Sequence, residues 1–234
     1  MTAEVSKNPQ VGLSTSGEFI VQAIFYVVLG LITLGCVKGY EGVRNYFGAG
    51  QFEGYRDVPG VAARSGRDTY VAARLWIDNE RWRGVPFYLR TGKRLAATEQ
   101  RVSLILREPA GPLAGQLPAE ANVLSFSLAG NGEIDLSLVA KKPGAALNLD
   151  VARASIPLSG LQGADPLPPY VRLIHDVLLG DRSLFTRPDG LASVWKVAQP
   201  LLSNPPEVKP YARGSWGPAE AAQLIAPGHW LLGE

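Results

Sequence analysis

The run Trp76-Ile77-Asp78-Asn79-Glu80-Arg81-Trp82-Arg83-Gly84-Val85-Pro86-Phe87-Tyr88-Leu89-Arg90-Thr91-Gly92-Lys93-Arg94-Leu95 decides how this chain is read. Val85 to Leu89 has the aromatic and β-branched composition of a strand, and Thr91-Gly92 closes it in a turn with a lysine at its tip. Arg90 and Arg94 make that strand end locally basic. An ammonium on a short turn is a compact point charge suited to a phosphate or a sugar hydroxyl, so Lys93 is the candidate ligand contact. A solvated basic loop after an edge strand fits the same residues.

Working outward, the pattern is that of an α+β chain. Thr69 to Ile77 alternates Val71, Ala73, Leu75 and Ile77 on one face, which predicts a half-buried strand. Val85–Arg90, Arg101–Arg107, Asn122–Leu128 and Glu133–Ala140 also read as strands, with Val102/Leu104/Leu106, Leu124/Phe126/Leu128 and Ile134/Leu136/Leu138 as three inward faces. Asn131-Gly132 is a tight hairpin signal, so successive strands are expected to pair antiparallel. A Pro/Gly/Ala-rich loop fills the span from Glu108 to Glu120. Pro168-Pro169 opens a helix that stops at Gly180, with Tyr170, Leu173, Ile174, Val177 and Leu178 at the spacing of a buried face. Thr186 and Pro188 start a second helix over Asp189–Leu202, striped by Leu191, Val194, Trp195 and Ala198, and Pro218 begins a short one over Ala219–Ile225. Trp216, in the turn before it, is expected to pack back on the domain.

Several of these segments resemble the glucose-6-phosphate dehydrogenase family. The opening run matches that family's Ile-Asp-Asn-x-Arg-Trp-x-Gly-Val-Pro-Phe-Tyr-Leu-Arg-Thr-Gly-Lys-Arg-Leu, and Gly54-Tyr55-Arg56-Asp57-Val58-Pro59-Gly60-Val61 resembles the stretch just before it. Ala140-Lys141-Lys142-Pro143-Gly144, then Tyr170 to Thr186 (Tyr-x-x-Leu-Ile-x-Asp-x-Leu-x-Gly-Asp-x-x-Leu-Phe-Thr), then Tyr211 to Pro218 (Tyr-x-x-Gly-Ser-Trp-Gly-Pro) follow in the family's order. The resemblance covers residues 43–234 and implies the C-terminal substrate-binding and dimerisation domain: a large, mostly antiparallel sheet backed by helices. It implies oxidation of glucose 6-phosphate with NADP in the pentose phosphate pathway. It also implies that Lys93 contacts the sugar phosphate. Two further family contacts are replaced, an arginine by Thr98 and a glutamine by Ala129. Each loss removes a hydrogen-bond donor worth about 1.5–3 kcal/mol against a charged partner, so sugar phosphate should bind weakly.

The family's catalytic apparatus has no counterpart in these residues. No Gly-x-Gly-x-x-Gly loop follows a strand and opens a helix, so no cofactor is expected on this chain alone and NADP is implied only through the family. There are two histidines. His175 falls beside the apolar face of the 168–180 helix, a boundary packing position, and His229 follows Pro227-Gly228 in an expected surface loop. An Asp–His base from His175 and Asp176 is disfavoured, because adjacent helical residues point in different directions. No catalytic residue is therefore assigned.

Composition bounds the rest. The 234 residues are 46% hydrophobic with a formal charge of +2, which gives no case for nucleic acid. A single cysteine excludes a disulfide framework within the chain, and no metal site is expected. From Phe19 to Val37 no residue is charged, about the length of a bilayer-crossing helix. Lys38 and Arg44 follow the run and Glu4, Lys7 and Glu18 precede it, which would leave the remainder in the cytoplasm, anchored through 19–37. A helix buried in the domain or against a partner is the competing reading, since Ile20-Val21-Gln22 resembles an apolar helix of the family. A cleaved signal is disfavoured by Glu18 at the edge of the run.

The expectation is thus an N-terminal segment, 1–42, with one long apolar helix before a dehydrogenase-like domain, 43–234. Its partners would be a second copy through the sheet, a separate chain carrying the Rossmann half, a sugar phosphate and a membrane. The alternative is a non-catalytic interaction module, tethered to a membrane or free.

Overall fold

The computed structural model describes residues 46–77, 79–107, 111, 112, 114–118, 122–127, 132–163, 168–182, 185, 188, 192, 195, 196, 199 and 202–232. They fall in two compact units, one of residues up to Ala97 together with Arg182 onward, the other Thr98–Asp181.

The first unit is built on strands β1 (Tyr46–Phe52), β2 (Tyr70–Trp76) and β3 (Pro86–Gly92), with a fourth added from near the C-terminus. That strand, β8 (Val208–Tyr211), lies parallel to β1, while β1–β2 and β2–β3 are antiparallel, giving the order β3-β2-β1-β8. Expected as half-buried, β2 is covered on both faces: Tyr70, Val71, Ala72 and Ala73 are all inaccessible to solvent. The second face is closed by Phe52, Tyr211 and Ala221, with Tyr55, Leu95, Leu224 and Trp230 around them. Phe52 meets Tyr55 and Tyr211 edge-on at ring separations of 5.4 and 6.4 Å, the arrangement aromatic quadrupoles favour.

The second unit holds β4 (Arg101–Ile105), β5 (Val123–Ser127), β6 (Glu133–Lys141) and β7 (Leu149–Pro157) in that spatial order, all antiparallel. Register lines up Val102 with Phe126 and Ile134 with Ile156, so the three expected apolar faces form one continuous face. That face is not interior. Val102, Leu104, Leu106, Leu138 and Ile156 keep 39–47% of their surface exposed. The other face is polar at one end, with Ser103 and Ser125 hydroxyls 2.7 Å apart and Arg101 paired to Asp135 at 3.0 Å, and apolar at the other, where Ile105 pairs with Val123 and Val139 with Val151.

Helix α1 (Pro169–Leu179) follows β7, with proline in its first turn and Gly180 at its end, as the sequence predicts. The expected buried face is exposed instead: Tyr170, Ile174, Val177 and Leu178 stand at 58–80%. Periodicity specifies a helix face, but burial needs a neighbouring surface. The described residues at 188, 192, 195, 196, 199, 202 and 203 are helical, consistent with the second expected helix; Thr186, Leu191, Val194 and Ala198 lie outside the described residues. Helix α2 (Ala221–Ile225) packs on β2 and begins two residues later than expected.

Two features of the expected architecture are corrected. There are two four-stranded sheets, one of them mixed, in place of one large antiparallel sheet. Among the described residues no helix is long and apolar enough to cross a membrane, and the run 19–37 lies outside them.

Gly217 is the tightest joint in the first unit. Its φ is +108°, and a Cβ there would lie 2.3 Å from Cε2 of Tyr70. Gly217→Ala is expected to lower unfolding stability in urea by about 2–4 kcal/mol through backbone strain and overpacking. Gly66→Ala, whose Cβ would meet nothing within 4 Å, is expected to change it by less than about 0.5 kcal/mol.

Candidate functional site at the Lys93 turn

Strand β3 delivers Lys93 to an exposed turn whose backbone is fastened from three sides. The Lys93 amide donates to the Thr69 carbonyl at 2.8 Å, and the Lys93 carbonyl accepts the Tyr211 hydroxyl at 2.7 Å. Beyond it, the carbonyl of Arg94, held at φ 54°, accepts the Gly214 amide at 2.8 Å, and the Ala96 amide donates to Ser215 at 2.9 Å. Gly92 lets the turn sit this low, since a Cβ there would come within 2.8 Å of the Tyr70 ring.

Behind the turn lies a directed chain of hydrogen bonds. The Phe52 amide donates to the Thr69 hydroxyl at 3.0 Å, the Thr69 and Tyr211 hydroxyls are 3.1 Å apart, and the Tyr211 hydroxyl donates to the Lys93 carbonyl, with the Thr69 carbonyl 3.2 Å away as a second, longer acceptor. Burial raises the Tyr211 phenol above its ordinary pKa, which keeps that proton available. Next to Thr69, Asp68 is 3% exposed, and neither of its carboxylate oxygens has a hydrogen-bond partner. Burial pushes its pKa up to about 6.

Arg90, three residues before Lys93 on β3, lies against the C-terminal segment. Its guanidinium is 4.6 Å from the Trp216 ring and 4.8 Å from the Trp230 ring, and it donates to the Leu232 carbonyl at 2.5 Å. Trp216 thus packs back on the domain as expected. The roles of Tyr211, Asp68 and Trp230 were not evident from sequence. Tyr211 opens the Tyr-x-x-Gly-Ser-Trp-Gly-Pro motif, but only folding brings it across 118 residues to Lys93.

The remaining sequence candidates are dispersed. Thr98 is exposed and belongs to the second unit, and Ala129 lies outside the described residues. His175, on α1, is largely exposed, and His229 is exposed near the C-terminus. His175 and Asp176 do touch, contrary to expectation, with Nδ1 and Oδ1 3.5 Å apart. That is the outer limit of a hydrogen bond, and the same carboxylate takes Arg172 Nε at 2.8 and 3.1 Å. Asp176 is therefore the acceptor of an i,i+4 ion pair first.

Among the described residues there is no parallel strand–glycine loop–helix–strand unit of the kind that holds a dinucleotide's phosphates in Rossmann folds. The parallel pair found here, β1 with β8, is formed by strands far apart in the chain, and β1 runs into a short 3₁₀ turn at Tyr55–Asp57.

A family model described as the glucose-6-phosphate dehydrogenase C-terminal domain matches residues 31–230. The chain belongs to this family. It is 41% identical over 184 residues to glucose-6-phosphate 1-dehydrogenase 1 of Mycobacterium tuberculosis, covering 77% of this chain and 38% of that protein. Against the glucose-6-phosphate 1-dehydrogenase of Leuconostoc mesenteroides it is 33% identical over 191 residues, 79% of this chain and 39% of that protein. A crystal structure of the Mycobacterium avium enzyme superposes with a TM-score of 0.76 at 27% identity, covering 95% of this chain and 54% of that one. A glucose-6-phosphate dehydrogenase solved in complex with glucose-6-phosphate gives 0.75 at 24% identity, which shows the shared fold. The chain thus spans well under two thirds of the relatives it matches. The membrane-spanning reading of 19–37 is set aside, because the family match starts at residue 31 and takes in the end of that run.

Two substitutions test the buried side of this turn. Tyr211→Phe leaves the Lys93 carbonyl without its donor, and an urea titration is expected to show a loss of about 1–3 kcal/mol. For Asp68 the sign runs the other way. Its folded pKa, about 6, lies above the 3.8 of an unperturbed carboxyl, so the native state holds the extra proton between those values. Its contribution is fully present below pH 3.8 and is lost as pH rises through about 6. Asp68→Asn should therefore be more stable than the parent at pH 7.5 by about 2–3 kcal/mol, with the difference vanishing near pH 4. An equal gain at both pH values would show that ionisation is not the cause.

Proposed function

We propose that this chain is the substrate-side half of a glucose-6-phosphate dehydrogenase, contributing Lys93 to the sugar phosphate and relying on the family's dinucleotide-binding half for hydride transfer to NADP. The reading is supported chiefly by an exposed lysine on a rigidly fastened turn inside the stretch most like the family. Lys93 supplies positive charge without catalysis. An ammonium can hold a phosphate dianion, whereas removal of the hydroxyl proton needs a general base, worth about a hundred- to ten-thousand-fold. Weak binding is expected, with Thr98 and Ala129 standing where the family has donors.

The test is complementation. The purified chain, free of host dehydrogenase, should not reduce NADP with glucose 6-phosphate. Mixing with the N-terminal half of the Mycobacterium tuberculosis relative should yield turnover, and Lys93→Ala should lower kcat/KM of the mixture by about ten- to hundredfold, the equivalent of about 1.4–2.7 kcal/mol. No turnover on mixing would favour a non-catalytic interaction module instead.

That second reading draws on the open apolar face of the second sheet, which also suits association with another copy of the chain. Sedimentation of the full chain at tens of micromolar should give a dimer, and the double variant Leu104→Glu, Leu138→Glu should give a monomer. A clean monomer for the parent would end the dimer proposal.

A further inference from the structure

The final residues of the chain do more than cover β2. Trp230 lies over the Arg90 guanidinium, meets Tyr88 edge-on at 6.4 Å and donates its indole Nε1–H to the Ala221 carbonyl at 3.1 Å. Leu232 accepts from Arg90, and the Gly228 amide donates to Ile225 at 3.0 Å. Tyr88 and Arg90 share one face of β3, and the strand's last residue is Gly92. The chain end therefore grips β3 just before the Lys93 turn.

We propose that the segment Pro227–Leu232 is a strap that holds the Lys93 turn in place, with Arg90 and Trp230 as its positioning residues. A strap must be able to open locally, and this one has the makings. It is short, Trp230 holds it by packing on Arg90, Tyr88 and the core edge with single hydrogen bonds beside, and it borders a cavity of about 270 Å³ lined by Arg90, Trp216 and His229. When it lifts, Arg90 loses both the Trp230 ring and the Leu232 carbonyl. The strand end is then left to Trp216, Thr69, Tyr211 and the 214–215 backbone. The link to a ligand rests on Lys93 being the phosphate contact. The coupling of strap to turn does not, and it is read from backbone amides with no ligand present.

Hydrogen exchange on the full chain gives the test. Trp230→Ala should lower protection of the Lys93 and Ala96 amides by at least about tenfold, while the Leu106 amide in the second unit stays unchanged. Trp230→Phe, which keeps an aromatic face, should retain most of that protection, and Arg90→Lys, which loses the planar guanidinium, should not. Protection at Lys93 and Ala96 within about twofold of the parent in Trp230→Ala would overturn the proposal, as would an equal fall at Leu106. The parent protein supplies a check free of folding defects. In low urea the Trp230 indole N–H and the Gly228, Lys93 and Ala96 amides should open with one common denaturant slope. Separate slopes for the strap and the turn would overturn the coupling.

Discussion

The hydroxyl of Tyr211 is the point on which the first unit turns. One buried phenol joins β8 to the end of β3, through the Lys93 carbonyl at 2.7 Å, and to the start of β2, through Thr69. β2 and β3 follow one another in the chain, but Tyr211 on β8 lies 118 residues beyond Lys93. A buried carbonyl left unpaired costs more than the bond itself contributes, so the geometry is held by the penalty of breaking it. The phenol's aromatic body serves a second purpose, filling the space between Phe52 and Tyr70. Polar placement and apolar packing thus fix the same side chain. The consequence is an exposed lysine whose backbone amide and carbonyl are both hydrogen-bonded.

Much of this fold was legible from residue pattern, and the failures are instructive. The strands around Val71, Phe87, Leu104, Leu124 and Leu136 were found because each carries alternating or continuous apolar residues. β1 was missed because Gly48 and Gly50 dilute its signal, and β8 because it is four residues long and contains Pro210. Proline is tolerated there since β8 lies at the edge of its sheet. β7 was missed because Asp150, Arg153 and Ser155 interrupt its alternation.

Burial was less legible than secondary structure. The alternation in β2 predicted one buried face and the molecule buries both, because the C-terminal residues return to cover Tyr70. The opposite error occurred at β4–β6 and α1, whose apolar faces are open. A hydrophobic stripe states that a face wants a partner without naming it. Lys93 was legible through its motif. The network beneath it was not, because Tyr211 and Trp230 act through contacts that span most of the chain, and Asp68 is set apart only by its burial.

The first unit thus carries a fastened cationic turn and the second an open apolar sheet face. The most direct measurement is an amide chemical-shift titration of the full chain with glucose 6-phosphate into the millimolar range. Shifts confined to Gly92, Lys93, Arg94 and their partners Thr69 and Gly214, and absent in Lys93→Ala, are the predicted result. A titration that leaves those amides unmoved, or moves only residues of the second sheet, would contradict the assignment of Lys93 as the phosphate contact.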